Sequence, residues 1–202
     1  MADKYVIARH AFGGIGDHLS CLIGAWWLAK QTGRTLAIDW RGSRFNHRAR
    51  QASNCFHDYF VARDRLAGVE VVADDRVASM SWPAPIFPAK WSAANLAASS
   101  HVKHTSEEID VLNLLVRDGR DRPEPTIAIN QWISPHPPRE AIRSLLDQLQ
   151  PVPAINAEAQ HFWSEKFGTD RAIGIHVRHG NGENIGTRAA YWLSMAIRTG
   201  CW

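Results

Sequence analysis

The densest set of chemically capable side chains lies in His176-Val177-Arg178-His179-Gly180-Asn181-Gly182-Glu183. Arginine offers a planar fork that matches phosphate bidentately. His179 supplies a further donor or, when protonated, charge, and Glu183 is a candidate general base. Gly180 and Gly182 let backbone N–H groups approach a ligand closely. The preceding run, Ala172-Ile-Gly-Ile-His-Val177, reads as a strand. Side chains alternate along a strand, so His176 and Arg178 point the same way. The plainer alternative is a solvated turn whose polar groups are satisfied locally.

A second loop, Gly13-Gly14-Ile15-Gly16-Asp17, stands where a helix opens after an apolar run. Free N–H groups at such a place can cradle an anion. The spacing is not GxGxxG, because Leu19 stands three past Gly16, and no Gly-Lys-Ser/Thr follows. Asp17 adds negative charge where a phosphate would rest. A tight structural turn is therefore the favoured reading, and a dinucleotide site is disfavoured.

Other clusters are weaker. Arg41, Arg44, Arg48 and Arg50, with His47, form a basic stretch that is either a solvated loop or a contact for an anionic or sugar ligand. His101 and His104 have no third ligand nearby and read as solvated surface. No Asp-x-Asp occurs, so no carboxylate pair is available for a nucleotide-bound divalent cation, and no metal site is expected. Trp40, Trp132 and the tryptophans of the 82–91 stretch are able to stack on sugar faces, but most read as core.

Several elements must position these groups. Lys4–Arg9 reads as a buried first strand. Leu19, Leu22, Ile23 and Trp26 recur at helical spacing, with Asp17 as N-cap and Gly33 at the stop. Thr35–Trp40 reads as a second strand, which completes a βαβ unit and implies a parallel sheet under helices. Val69–Ala73 and Thr126–Asn130 read as further strands. Pro83, Pro85 and Pro88 exclude a helix or inner strand from the 82–91 stretch, leaving an ordered aromatic loop. A helix follows over about 139–149, and Pro151 and Pro153 mark a boundary. After it, Asn156 caps a helix in which Ile155, Ala159, Phe162 and Trp163 share a face, stopped by Gly168.

With 202 residues, the chain is long enough for one sizeable core without metal or disulfide support. Its 23 basic against 20 acidic residues are too balanced for a polybasic nucleic-acid binder. No apolar run reaches the roughly 18 residues of a membrane span. Met1-Ala-Asp-Lys4 lacks the apolar core of a secretory signal, and Cys21, Cys55 and Cys201 are too few for a disulfide framework. The expectation is a reduced, cytoplasmic protein without a membrane span or nucleic-acid partner.

Asp17–Ser43, Asp74-Asp-Arg-Val77 with the Trp82–Trp91 loop, and Ile173–Glu183 occur in the same order in the nodulation fucosyltransferase (NodZ) family, which the chain resembles from about residue 4 to 192. The wider α1,6- and protein-O-fucosyltransferases share the His-x-Arg core. The resemblance implies an α/β, GT-B-like fold. Residues 1–150 would be a Rossmann-type, acceptor-side domain. Residues 151–202 would be a linker helix and the incomplete start of a second Rossmann-type, GDP-sugar-binding domain. Met195-Ala-Ile-Arg198 is similar to a family segment that lies further downstream, which reads as an internal deletion with an early end, or a fragment.

The family implies inverting, metal-independent transfer of L-fucose from GDP-fucose. The acceptor is the 6-hydroxyl of the reducing-end N-acetylglucosamine of a chitin oligosaccharide, the Nod factor. Carried over by position, Arg178 holds the diphosphate, His179 assists, and His176, Gly180 and Asn181 line the donor pocket. Glu183 is the candidate base. No cofactor is implied beyond the donor substrate. Two alternatives stay open: a non-catalytic remnant that binds oligosaccharide only, and a nucleotide-dependent oxidoreductase with Asp39 as its ribose-binding acid.

Overall fold

Two five-residue apolar runs form the centre of the molecule. The computed structural model describes residues 4–9, 14–42, 53–74, 76–98, 102–131 and 137–168. Strand β1 is Tyr5–Arg9 and β2 is Thr35–Asp39, each with its last four residues buried. Burial on both faces is what near-continuous apolar strands require. Between them runs α1, Ile15–Thr32, whose Cys21, Leu22, Ala25, Trp26, Leu28 and Ala29 are buried. It stops at Gly33, where a left-handed backbone (φ 67°) suits glycine.

The rest of the first unit follows in order: α2 (Phe56–Tyr59), β3 (Arg65–Leu66), β4 (Val69–Val72), α3 (Arg76–Ser79), β5 (Ile86–Phe87), α4 (Ala93–Ala97), α5 (Ser106–Asp118), β6 (Thr126–Ile129) and α6 (Arg139–Leu146). The six strands form one sheet in the order β3-β4-β2-β1-β6-β5. All neighbours are parallel except β3 and β4. Strand order reverses between β1 and β6, and in such sheets ligands sit in the crevice beyond the carboxyl ends at that reversal.

Alternation sorts the side chains into two layers. Val6, Ala8, Leu36, Ile38, Ile127 and Ile129 pack with α1 and α5 in the larger core. Ile7, Ala37 and Ala128 face the other way, into a smaller core with Trp82, Ile86, Trp91 and Leu96.

Several expectations need adjustment. The N-cap of α1 is Gly14, not Asp17; Asp17 lies three residues in and its carboxylate accepts from the Gly14 N–H at 2.9 Å. That reach-back satisfies one of the helix's orphan donors. The 82–91 stretch holds the short β5, which Pro85 and Pro88 flank and which occupies the sheet edge where proline is tolerated. Helix α5 escapes the apolar-periodicity reading, although Thr105 and Glu108 form a capping box and Leu112, Leu115 and Val116 are buried. Its signature, Thr-x-x-Glu ahead of an apolar run, stands in the sequence.

The chain divides into two compact units, residues 1–152 and 153–202. In the second, the described part is α7, Pro153–Lys166, with Gly168 beyond it. Proline opens this helix, as its fixed φ allows, so Asn156 lies inside rather than capping. Phe162 and Trp163 both pack on Phe167, at ring-centroid distances of 6.0 and 5.0 Å. No residue of α7 is buried.

Candidate functional site

The carboxyl ends of β1, β2 and β6 each finish in a polar residue on the smaller-core face: Arg9, Asp39 and Asn130. The strand register sets Arg9 directly opposite Asp39. Arg9 Nη1 donates to Asp39 Oδ2, with both side chains fully buried. Arg41 closes on the same carboxylate from the other side, Nε to Oδ1 at 2.8 Å and Nη2 to Oδ2 at 2.9 Å. Its remaining N–H groups reach the Leu96 and Ala97 carbonyls at 3.1 and 3.4 Å. Burial alone would raise the Asp39 pKa, but the Arg41 hydrogen bonds and the charges of Arg9 and Arg41 hold it below the usual carboxylate range. Among the described residues, the cluster sets two guanidiniums against one carboxylate.

Neighbouring groups shape the same edge. The Arg9 guanidinium lies 5.8 Å from the centroid of the Trp91 ring. Asn130 Nδ2 donates to the Val102 carbonyl. Cys21 Sγ bridges the Arg9 and Ile129 carbonyls at 3.1 and 3.4 Å, where β1 and β6 part. Burial pushes this thiol up to about 12, so it serves as a donor and not as a nucleophile. Asn54 Nδ2 ties the Ile38 and Ala73 carbonyls (2.6 and 2.9 Å), while its Oδ1 accepts from the Trp40 N–H at 3.0 Å. That one amide seals the ends of β2 and β4.

At the start of α1, His18 is buried and its Nδ1 lies 3.0 Å from the Gly14 carbonyl. A carbonyl only accepts, so Nδ1 carries the proton. Burial pushes the ring's pKa down, which keeps it neutral near pH 7. Gly14 and Gly16 have no positive φ, and a Cβ on either would meet no atom within 4 Å. Neither backbone strain nor packing among the described residues demands glycine at these two positions, and Gly13, the other glycine of the expected turn, lies outside the described residues.

Arg178, His179, Glu183, His176, Gly180 and Asn181 lie outside the described residues, as do Arg44, His47, Arg48, Arg50, His101, Trp132 and Cys201. Arg41 is neither solvated nor poised for a ligand; Asp39 takes it up. Asp39 is correspondingly engaged and buried, which removes the ribose-binding acid that the oxidoreductase alternative needs. His104 is not solvated surface: its side chain is fully buried, because the chain around it folds against Trp91. Trp40, Trp82 and Trp91 are core residues and present no face for a sugar. Cys21 and Cys55 are buried free thiols. Sequence reasoning overlooked Asn54, Asn130 and Arg9. Their signal was slight: a polar residue ending or following an otherwise apolar strand.

Among the described residues, no His, Cys, Asp and Glu group is placed to hold a metal ion. No described helix is long and apolar enough to cross a membrane. A cleft of about 300 Å³ opens at the amino-terminal end of the sheet, away from this cluster, beside Lys30, Arg34, Arg65 and Glu70. Its cations are occupied: Lys30 lies over the Trp26 ring, and Arg65 bonds the Gly68 carbonyl.

The Nodulation protein Z (NodZ) family matches residues 2–198. The chain belongs to that family. Nodulation protein Z of Bradyrhizobium diazoefficiens is 37% identical over 194 residues, covering 94% of this chain and 51% of that protein. Its counterpart from Sinorhizobium fredii is 34% identical over 204 residues, covering 100% of this chain and 62% of that protein. The crystal structure of fucosyltransferase NodZ from Bradyrhizobium matches with a TM-score of 0.70 at 32% identity, over 82% of this chain and 57% of that one. A structure of NodZ α-1,6-fucosyltransferase soaked with GDP-fucose matches with a TM-score of 0.69 at 32% identity, over 82% and 56%. Another was co-crystallised with GDP, with a TM-score of 0.70 over the same shares. This NodZ-family chain thus has the α/β, GT-B-like fold of those fucosyltransferases. It spans about half to three-fifths of the length of the curated relatives that it matches.

Proposed function

We propose that this chain is a fucosyltransferase component that acts on GDP-fucose and a chitin-oligosaccharide acceptor. The observation that carries the reading is the family match over residues 2–198, which runs through the His176–Glu183 stretch. The relatives soaked with GDP-fucose and co-crystallised with GDP support the choice of donor. In the proposed organisation, residues 1–150 form the acceptor-side domain, and residues 151–202 supply a linker helix and the start of the donor domain.

The reaction proposed is an inverting, metal-independent displacement. The 6-hydroxyl oxygen of the reducing-end N-acetylglucosamine bonds to the anomeric carbon of fucose. The bond from that carbon to the β-phosphate oxygen breaks, and GDP departs with the electron pair. Arg178 clamps the diphosphate and stabilises the charge that grows on it, with His179 assisting. His176, Gly180 and Asn181 line the donor pocket. Glu183 takes the hydroxyl proton. Arginine and histidine supply positive charge where a divalent cation would otherwise be required.

Calorimetric titration of the 202-residue chain with GDP tests this reading, with Arg178→Ala as the comparison. Saturable binding that weakens about 10- to 100-fold in the variant is expected, because a hydrogen bond to a charged group is worth about 1.5–3 kcal/mol. Fucose transfer from GDP-fucose to a chitin oligosaccharide is then the activity to assay. A folded wild-type chain that binds oligosaccharide but not GDP would instead support a binding-only role.

A further inference from the structure

His104 occupies a position that its sequence context does not suggest. Its side chain is fully buried, and neither ring nitrogen has a hydrogen-bond partner among the described residues. The ring packs on Trp91 at a centroid distance of 6.3 Å. It belongs to a short strap, Val102–Thr105, which is fastened at three points. Asn130 Nδ2 donates to the Val102 carbonyl, Lys90 Nζ donates to the Lys103 carbonyl, and the Thr105 N–H donates to Glu108 Oε2 at 2.7 Å. The first of these ties the strap to the carboxyl end of β6. On its far side Trp91 meets Arg9, at the carboxyl end of β1.

The charges around the ring decide what a proton would do there. Lys90 faces it from the turn after β5, and Glu108 faces it from α5. Lys103 precedes it in the chain, and Arg9 lies beyond Trp91. Glu108 is the only carboxylate among these groups. Its Oε2 is already engaged by Lys90 and by the Thr105 N–H, and it stands 3.8 Å from His104 Nδ1, too far for a hydrogen bond. A proton on the buried ring therefore adds a charge beside the Lys90 ammonium, and the one facing carboxylate, Glu108, already shares its Oε2 with Lys90 and the Thr105 N–H.

We propose that His104 makes the Val102–Thr105 strap a pH-released latch: the neutral ring holds it closed over Trp91, and protonation opens it, freeing the carboxyl end of β6 from Val102. Burial first, and Lys90 second, push the ring down to about 4, with Glu108 opposing them. A released imidazole takes its proton near 6.5. Opening is thus favoured progressively as pH falls from about 6.5 toward 4, and the latch is shut above that window.

Amide hydrogen exchange on the full chain, with protection factors followed from pH 7.5 to 4.5, tests this. In the wild type, protection of the Thr105 amide, which donates to Glu108, is expected to fall about tenfold per pH unit below 6.5, ahead of the β1 amides. His104→Phe should flatten that dependence while β1 keeps its protection. Lys90→Met removes the repelling ammonium together with one of the three fastenings, so protection should be lower at every pH while the window narrows from its acidic side. That second variant decides the matter should the phenylalanine fail to fold. An unchanged pH profile in a folded variant would overturn the latch. So would a His104 ring signal that titrates near 6.5 while the strap stays protected.

Discussion

Asp39 neutralises one of two guanidiniums, and its removal exposes how much the cluster depends on it. Asp39→Asn keeps the shape but removes the carboxylate charge that Arg9 and Arg41 share in a buried site. A loss of about 3–5 kcal/mol is expected, read as a lower urea midpoint at pH 7. The pH dependence follows from the direction of the shift. A carboxyl held below its unfolded value stabilises the fold above about pH 4, and that contribution is lost as pH falls lower. His104 acts in an earlier window, between about 6.5 and 4, so acid sensitivity should develop in two stages. At the other end of the sheet, Arg34 is fully buried and donates to Asp121 Oδ1 at 2.7 Å and to four backbone carbonyls. Arg34→Met should cost a comparable amount, because Asp121 and four backbone carbonyls lose their charged donor.

At the scale of elements, α1 shows how one substitution reverses sign with backbone conformation. Gly33 ends the helix at φ 67°, with open space where a Cβ would stand. Gly33→Ala should therefore destabilise by about 1 kcal/mol through strain alone. Gly16 lies in the helix's first turn, with equally open space. Gly16→Ala should stabilise by roughly 0.4–1 kcal/mol, mainly by restricting the unfolded chain. Thermal unfolding of the two variants side by side is the check; equal signs would contradict the assigned φ values. For α5, Thr105→Ala removes the acceptor for the Glu108 N–H and should cost about 1 kcal/mol.

For the whole molecule, the six-stranded sheet and both cores lie in the unit formed by residues 1–152. Expressed as residues 1–152, the chain should unfold cooperatively, with a sharp near-ultraviolet circular dichroism transition from its buried tryptophans. A broad transition would mean that residues after Val152 are needed to complete the core. The parallel topology matters to function as well. Crossovers carry every parallel strand's carboxyl end to one edge, which is how Arg9 and Asp39 come to lie side by side there. Fold alone does not assign an activity; the family match does that work for this chain.

The strands β1, β2, β4 and β6 were legible in the residues because each is a short apolar run bounded by turn signals, and α1 because its apolar stripe has helical period. Gly33 marked the stop, since few other residues tolerate its φ. The His176–Glu183 stretch was legible as chemistry from composition alone, and it lies outside the described residues. Other features depended on the tertiary structure. Arg41 looked like part of a basic loop until the parallel register set Arg9 opposite Asp39 and left one carboxylate to satisfy both cations. His104 looked solvated, and Trp91 was open to reading as a sugar platform, until the chain between β5 and α5 folded over the smaller core. Periodicity reports which face of an element is apolar. It does not say which distant polar residue meets which, because register and loop closure bring those groups together only once the sheet has formed.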